Sequence, residues 1–471
     1  MNKLRIIAAC AAALWLAGCA GSGPAAPAAA VVPAQWHAPL PHEGSLADLS
    51  SWWQQLGDPL LVELVESAQG ASPTLASATA RIAQARAARV AAGAALLPVL
   101  DGVASAARGN NQPPVPLATT LQAGLQASWE IDLSGARRGA AGAAQARLEQ
   151  ARAGWHEARV SVAAETANSY VSLRTCERQL AVAQNDAQSR AETARLSELG
   201  ARAGFTAPAT AALARASAAE GSARATQQRA QCEIEVKALV ALTGVAEPLL
   251  RQRLAAAPAQ PLQPAALAVA AVPAQVLAQR PDVYQAEREV VATQAEAGVA
   301  RAERFPRLSL SGSIAAGQVR MAGVSTDLQT WAIGPLSLTV PIFDGGRRAA
   351  NVDAAQARYE EAAALYAARV RQAVREVEQA LVTLESARAR GDDARTAAEG
   401  YRTSFVATEA RYRSGLASLV ELEDARRTLL AAETALLGLQ RENAASWIAL
   451  YRATGGGWTR PEALAETASP R

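Results

Sequence analysis

The sequence predicts a mainly α fold with a small β part: a tandem repeat of long helical hairpins carrying four β-strands. Three observations lead there. Stretches of Ala, Arg, Glu, Gln and Leu run long without proline or glycine, the composition of long, closely packed helices. The chain superposes on itself at a shift of 211 positions, pairing Ile131 with Ile342, Gly135 with Gly346, Arg137 with Arg348, Arg202 with Arg413 and Gly204 with Gly415. Short segments of alternating apolar and polar residues mark strands between the helices.

At the N-terminus, Lys3 and Arg5 precede an apolar run from Ile6 to Leu16 that is too short to span a bilayer, so residues 1–18 read as a signal peptide. The run ends in Leu16-Ala17-Gly18-Cys19, which resembles a bacterial lipobox; cleavage before Cys19 would leave that residue carrying a covalent lipid. A plain secretory signal with a chance cysteine is the alternative. Ala20 is not the aspartate that favours inner-membrane retention in such lipoproteins, so sorting to the outer membrane is expected. Residues 19–45 are rich in Ala, Pro and Gly and read as the lipid-anchored linker. No later segment is apolar for about twenty residues.

An N-terminal helical segment, 46–71, precedes the first repeat, 72–245; a connecting segment, 246–279, leads to the second repeat, 280–457, and a tail, 458–471. Upstream of the strands the shift is 208, taking Pro73 to Pro281 and Pro98 to Pro306, which implies three extra residues in the second copy's strand region. Each copy reads as a helix of about 25 residues, two strands, a very long helix, a Gly-marked turn and a returning helix.

From Leu121 to Leu133 every odd position is apolar, and Gln122, Gln126, Ser128, Glu130 and Asp132 fill the other face. Leu308, Leu310 and Ile314 alternate with serines, as do Leu336, Leu338, Val340 and Ile342 with Ser337 and Thr339; Pro98 to about Arg108 is a weaker fourth strand. An apolar face opposed to a polar one suits a membrane barrel with water inside, a β-sandwich being the alternative. Four strands cannot close, because membrane barrels need about eight or more, whereas three copies would supply twelve. The helices Gly135 to Arg202 and Arg347 to Arg413 would each extend about 100 Å, far beyond a globular core.

With Cys10 removed and Cys19 lipidated, Cys176 and Cys232 remain, almost equally far from Gly204. A disulfide between them and two buried free thiols are both open readings. The histidines are His37, His42 and His156, which form no clustered metal site or acid–base pair, and Gly345-Gly346 lacks a phosphate-binding pattern. No enzyme and no cofactor beyond the lipid on Cys19 are expected. The formal charge of +3 suggests no nucleic-acid partner.

The segments WWQQLGDPLL (52–61), SWEIDLSGARR (128–138), RPDVYQAE (280–287), FPRLSLSG (305–312), PIFDGGRR (341–348) and ALYRATGGGW (449–458) together resemble the TolC/NodT-type outer-membrane factors, in particular the lipoproteins serving resistance-nodulation-division efflux pumps. The resemblance covers nearly the whole chain. It implies a homotrimer with a twelve-stranded outer-membrane β-barrel joined to a periplasmic α-helical barrel. It also implies a periplasmic adaptor and an inner-membrane resistance-nodulation-division transporter as partners, with the chain as a passive exit duct anchored in outer-membrane lipid.

The resemblance further implies that the periplasmic entrance lies at the hairpin tips, with YRSGLASLVELEDARR (412–427) as the gating segment. Glu421 and Asp424 fall where lumen-facing acids are common, and their spacing puts them on one helix face, so three copies would make a cation-attracting ring. Read without the resemblance, the same pair fits a solvated charged face. Some relatives lock the closed tip through a Tyr and an Arg on this segment and an Asp on the first hairpin. Here Tyr412 is retained, but Ala417 and Thr210 occupy the other two positions, leaving Arg413 or packing of Leu416 as substitutes. Gly204 and Gly415 would supply turn conformations, or simply break the helices.

Two rival readings remain at this level: the exit duct of a type I protein-secretion system, and a lipid-anchored periplasmic coiled-coil tether with no barrel.

Overall fold

A computed structural model describes Trp36 and residues 52–109, 117–257 and 273–460. The signal peptide, Cys19, the linker apart from Trp36, His37 and His42 lie outside the described residues. Two compact units result, neither coinciding with a sequence repeat: one gathers 80–152 with 284–368, and the other holds the remaining described residues.

In chain order the elements are α1 (Trp52–Gln55), α2 (Pro59–Ala71), α3 (Pro73–Ala94), β1 (Val99–Gly109), β2 (Ala118–Ile131), α4 (Ala136–Arg202), α5 (Pro208–Thr243), α6 (Glu247–Ala256), α7 (Pro273–Ala278), α8 (Pro281–Ala302), β3 (Arg307–Met321), β4 (Val324–Thr339), α9 (Arg347–Arg413) and α10 (Leu419–Ala453). The long helices α4 and α9 begin and end 211 positions apart, and α3 and α8 are 208 apart at both ends, as the self-superposition requires.

In the first unit the four strands form one antiparallel sheet in the order β1-β2-β3-β4, so the β2–β3 pairing joins the two repeats. The cross-strand row Leu125–Ile314–Trp331 lies on one face and the row Gln126–Ser313–Ala332 on the other. The apolar row is uncovered, with Ile314 60% and Trp331 76% exposed. Among the described residues, neither edge strand, β1 or β4, has a further neighbour.

The structure corrects the strand boundaries in two ways. The β4 strand ends at Thr339, so Val340 and Ile342, expected inside it, lie beyond its end. Both hairpins occupy the same length of chain, 99–131 and 307–339, and the three extra residues of the second copy therefore sit after β4, in the link to α9. An irregularity in the β3–β4 register between Leu310 and Gly312 then rephases the strand, so that Leu336 and Leu338, at even positions, share the face of Trp331 and Ile333, at odd ones. Gly334-Pro335 stands at this break, where a proline costs no ladder hydrogen bond.

Asp132 starts α4 by accepting from the amides of Arg137 and Arg138 at 3.1 and 3.0 Å. Asp344 does the same for α9, accepting from Gly346 N and Arg348 N at 3.1 Å each. Asp132 and Asp344 thus launch the long helices, satisfying orphan amides and opposing the positive helix end.

The second unit holds the main core. Trp52 stacks on Tyr451 with ring centroids 5.1 Å apart, and Trp53 meets both rings edge-on at 4.7 Å. Asp58 caps α2 through Leu60 N and Leu61 N, and its other oxygen accepts from the Tyr170 hydroxyl at 2.6 Å. Tyr170 in turn accepts from Arg174 Nε at 3.0 Å, which fastens the N-terminal segment to α4. Opposite, Arg280 makes paired hydrogen bonds to Asp282 at 3.0 and 2.7 Å, bonds Glu376 at 2.7 Å and donates to Ala453 O at the end of α10. Gly455, at φ 91°, comes so close to Gln279 O that a Cβ would lie 2.0 Å from it, which is why the turn after α10 needs glycine there. Cys176 and Cys232 are joined by a disulfide that ties α4 to α5, their Cα atoms 5.5 Å apart.

Candidate functional site at the hairpin tips

The tips of both helical hairpins belong to the second unit. Gly204 at φ 81° and Gly415 at φ 76° occupy the left-handed region, so each supplies a turn conformation as well as ending its long helix. Ser418 then starts α10 with a capping box: its hydroxyl accepts from Glu421 N, and Glu421 Oε2 accepts from Ser418 N at 2.7 Å.

Glu421 therefore has a local structural task. The Ser418 amide holds its carboxyl below the usual glutamate range, and the side chain stays about half exposed. Asp424 is also exposed and pairs with Arg427 on its own helix. Both acids are exposed to solvent. Arg413 turns back to Glu409 at 3.2 Å, Leu416 is 71% exposed, and the Thr210 amide bonds Ala207 O in the first turn of α5. Within the chain, then, neither Arg413 nor Leu416 replaces the missing arginine link. The Tyr412 hydroxyl finds Ser197 Oγ at 3.2 Å, reaching the first hairpin through a different partner.

What binds the two hairpins is a polar cluster that sequence reasoning missed. Arg190 on α4, only 5% exposed, pairs with Asp186 at 2.9 Å, with Glu423 of α10 at 2.6 Å, and donates to Ser217 Oγ on α5 at 2.6 Å. The second Glu423 oxygen pairs with Arg426 at 2.7 Å. Arg426, 3% exposed, donates to Ser189 Oγ at 2.8 Å and Thr193 Oγ1 at 2.7 Å, with its guanidinium 5.8 Å from the Phe405 ring centroid. One carboxylate thus bridges two buried guanidinium groups from different hairpins. Beside it Ala194, Ala214, Leu419 and Leu422 close a small apolar cluster. The signal was present in the sequence: Leu419, Leu422 and Arg426 fall on one helical stripe, so an arginine continues an apolar face. The run Glu421 to Arg427 reads as solvated only while its periodicity is ignored.

Further along the same unit, a groove of about 1210 Å³ is lined by Glu165, Asn168, Glu376, Gln379, Thr383 and Glu442 among others. Glu165 with Glu376, and Asn168 with Gln379, are repeat-related pairs. Ala380, Leu439 and Ile448 also line it, so its wall is mixed, polar and apolar. Among the described residues no group of His, Cys, Asp and Glu could hold a metal ion, and no helix is long and apolar enough to cross a membrane.

An antiparallel sheet with one apolar and one polar face in one unit, and helical hairpins tied by a buried polar cluster in the other, are the features of a channel-forming envelope protein. The chain belongs to the outer membrane efflux protein family, which it matches over residues 64–245 and 272–456. It is 30% identical to the pyoverdine export outer membrane protein OpmQ of Pseudomonas aeruginosa, covering 97% of each chain. Among solved structures it resembles the outer-membrane channel OprN, with TM-score 0.82, 30% identity and coverage of 93% of this chain and 98% of that one. It also resembles the CmeC outer membrane channel of Campylobacter jejuni, with TM-score 0.79, 26% identity and 92% of both chains. The protein is an outer-membrane efflux channel component, which sets aside the tether reading.

Proposed function

We propose that three copies of this chain close a twelve-stranded outer-membrane barrel and a periplasmic helical barrel, anchored by lipid on Cys19, and form the exit duct of a tripartite pump. The carrying observation is the open four-stranded sheet: its apolar row needs lipid, and its two edges need strands that the described residues do not supply. An adaptor and an inner-membrane resistance-nodulation-division transporter complete the pathway, and small molecules move through the duct passively. OpmQ is named for pyoverdine export, which makes small-molecule export a better fit than protein secretion. Native mass of the lipidated protein in mild detergent tests the assembly: three chains are expected, and a stable monomer would overturn it. Replacing Cys19 by serine should abolish incorporation of labelled palmitate.

A further inference from the structure

Residues directly paired across the sheet point to the same side, so its apolar face is a ladder of cross-strand rows. Beside the helices the face begins with Ile131, Leu308 and Leu338, and on β2 it stays apolar as far as Leu121. From Ile131 to Leu121 is about 34 Å of strand, which a tilt of about 45° reduces to about 24 Å, close to the height of an outer-membrane apolar band. The last row, at the end away from the helices, is different. Arg108 of β1 pairs with Thr119 of β2, Thr119 with Arg320 of β3, and Arg320 with Ser325 of β4. Thr119 stands two residues from Leu121, so two arginines and two hydroxyls share the apolar face just beyond the band.

Both arginines are exposed, and neither guanidinium has a hydrogen-bond or ion-pair partner among the described residues. The other charges of the strands do not neutralise them. Asp101, Glu130 and Arg307 stand on the polar face, in register with Gln126, Ser309 and Thr339. Asp327 shares the arginines' face one row nearer the band, and there it meets Gln318 Nε2 at 3.5 Å. An arginine on a lipid face costs little near either interface, so cost alone would allow them at both ends of the strands. On this face both stand at the outer end. Their Cα atoms are two strand spacings apart, about 10 Å, with Thr119 between them.

We infer that this row binds the phosphate groups of an outer-leaflet glycolipid, with Arg108 and Arg320 donating to phosphate oxygens and Thr119 and Ser325 adding hydroxyl donors. The planar guanidinium fork matches a phosphate with two parallel hydrogen bonds. With the helices on the periplasmic side, as proposed above, the row faces the outward leaflet, which in outer membranes is built of phosphorylated, multiply acylated glucosamine lipid. Acyl chains then run down the face over Leu121, Leu125 and Ile314, all of them exposed. A free phosphate would meet the same donors but would leave that apolar strip unused. The continuity of cationic row and apolar strip on one face therefore favours a lipid as the source of the anion.

This inference rests on the barrel assembly proposed above, and native mass spectrometry of the lipidated protein in mild detergent reads both at once. The spectra give the number of chains, and titration with diphosphorylated lipid A gives the bound lipid. A trimer that retains lipid A is expected, with retention weakened about tenfold or more in Arg108→Gln/Arg320→Gln, since each lost charged hydrogen bond is worth at least a factor of that order. Arg108→Lys/Arg320→Lys, which keeps the charge at the same exposed positions, should retain most of the binding. Phosphatidylglycerol and millimolar inorganic phosphate are the competitors, and neither should displace lipid A. Displacement by phosphatidylglycerol would reduce the row to a general anchor for anionic lipid, and displacement by inorganic phosphate would make it a free-anion site; either overturns the inference. A trimer whose lipid A binding ignores the glutamine pair overturns the site and leaves the duct standing. A stable monomer overturns both.

Discussion

Glu423 Oε2 lies 2.6 Å from Arg190 Nη1 while its Oε1 lies 2.7 Å from Arg426 Nη1, so one carboxylate from α10 holds two buried arginines. A buried ion pair adds little net stability over an apolar replacement, but losing one partner leaves charge stranded and costs about 3–5 kcal/mol. Glu423→Ala should therefore release α10 from α4 and α5 at the tip. We expect a several-fold rise in single-channel conductance in planar bilayers; an unchanged conductance would show that the cluster does not hold the entrance.

The acidic pair beside it should set ion preference. Replacing Glu421 by Gln and Asp424 by Asn together should reduce cation over anion permeability, measured as reversal potential across a salt gradient. Because the Ser418 amide lowers the Glu421 carboxyl, the wild-type preference should hold as pH falls to the ordinary glutamate value, about 4.3, and fade only below it. Selectivity that is indifferent to the double substitution would sink the ring.

The disulfide should contribute through the unfolded chain. It closes a loop across a sequence separation of 56, which corresponds to about 4 kcal/mol of chain entropy. Cys176→Ala/Cys232→Ala should lower the melting temperature, and a reductant should shift the wild type but not the variant.

Asp282 gives an acid-dependent prediction. Burial pushes its carboxyl up, but the hydrogen bonds and charge of Arg280 outweigh this and leave it below the usual aspartate range. A carboxyl lowered by folding stabilises the native state above its unfolded value, near 3.9, and that contribution is lost as pH falls below it. Arg280→Met should cost about 3–5 kcal/mol at pH 7 by stranding the acid. The gap between wild type and variant in thermal melts should narrow at pH 3.5; a constant gap would assign Arg280 a packing role only.

The sequence by itself determined the repeat, the order of helices and strands, and the start of each long helix. Those rest on local physics, namely periodicity, capping aspartates and glycines at positive φ, which act over a few residues and so leave a readable trace. It also located the tip and named Tyr412, Glu421 and Asp424, but the link across the hairpins was sought at Ala417, Thr210, Arg413 and Leu416. Only the tertiary structure decided that the link runs from Arg190 to Glu423 and Arg426, more than 200 residues further along the chain. It alone decided, too, that an irregular register returns Leu336 to the face of Trp331, and that Cys176 faces Cys232. In each case the deciding quantity is which side of a helix or strand meets which neighbour. A local pattern can show which face is buried, as Leu419, Leu422 and Arg426 do, but which neighbour that face meets is set by packing between segments distant in sequence.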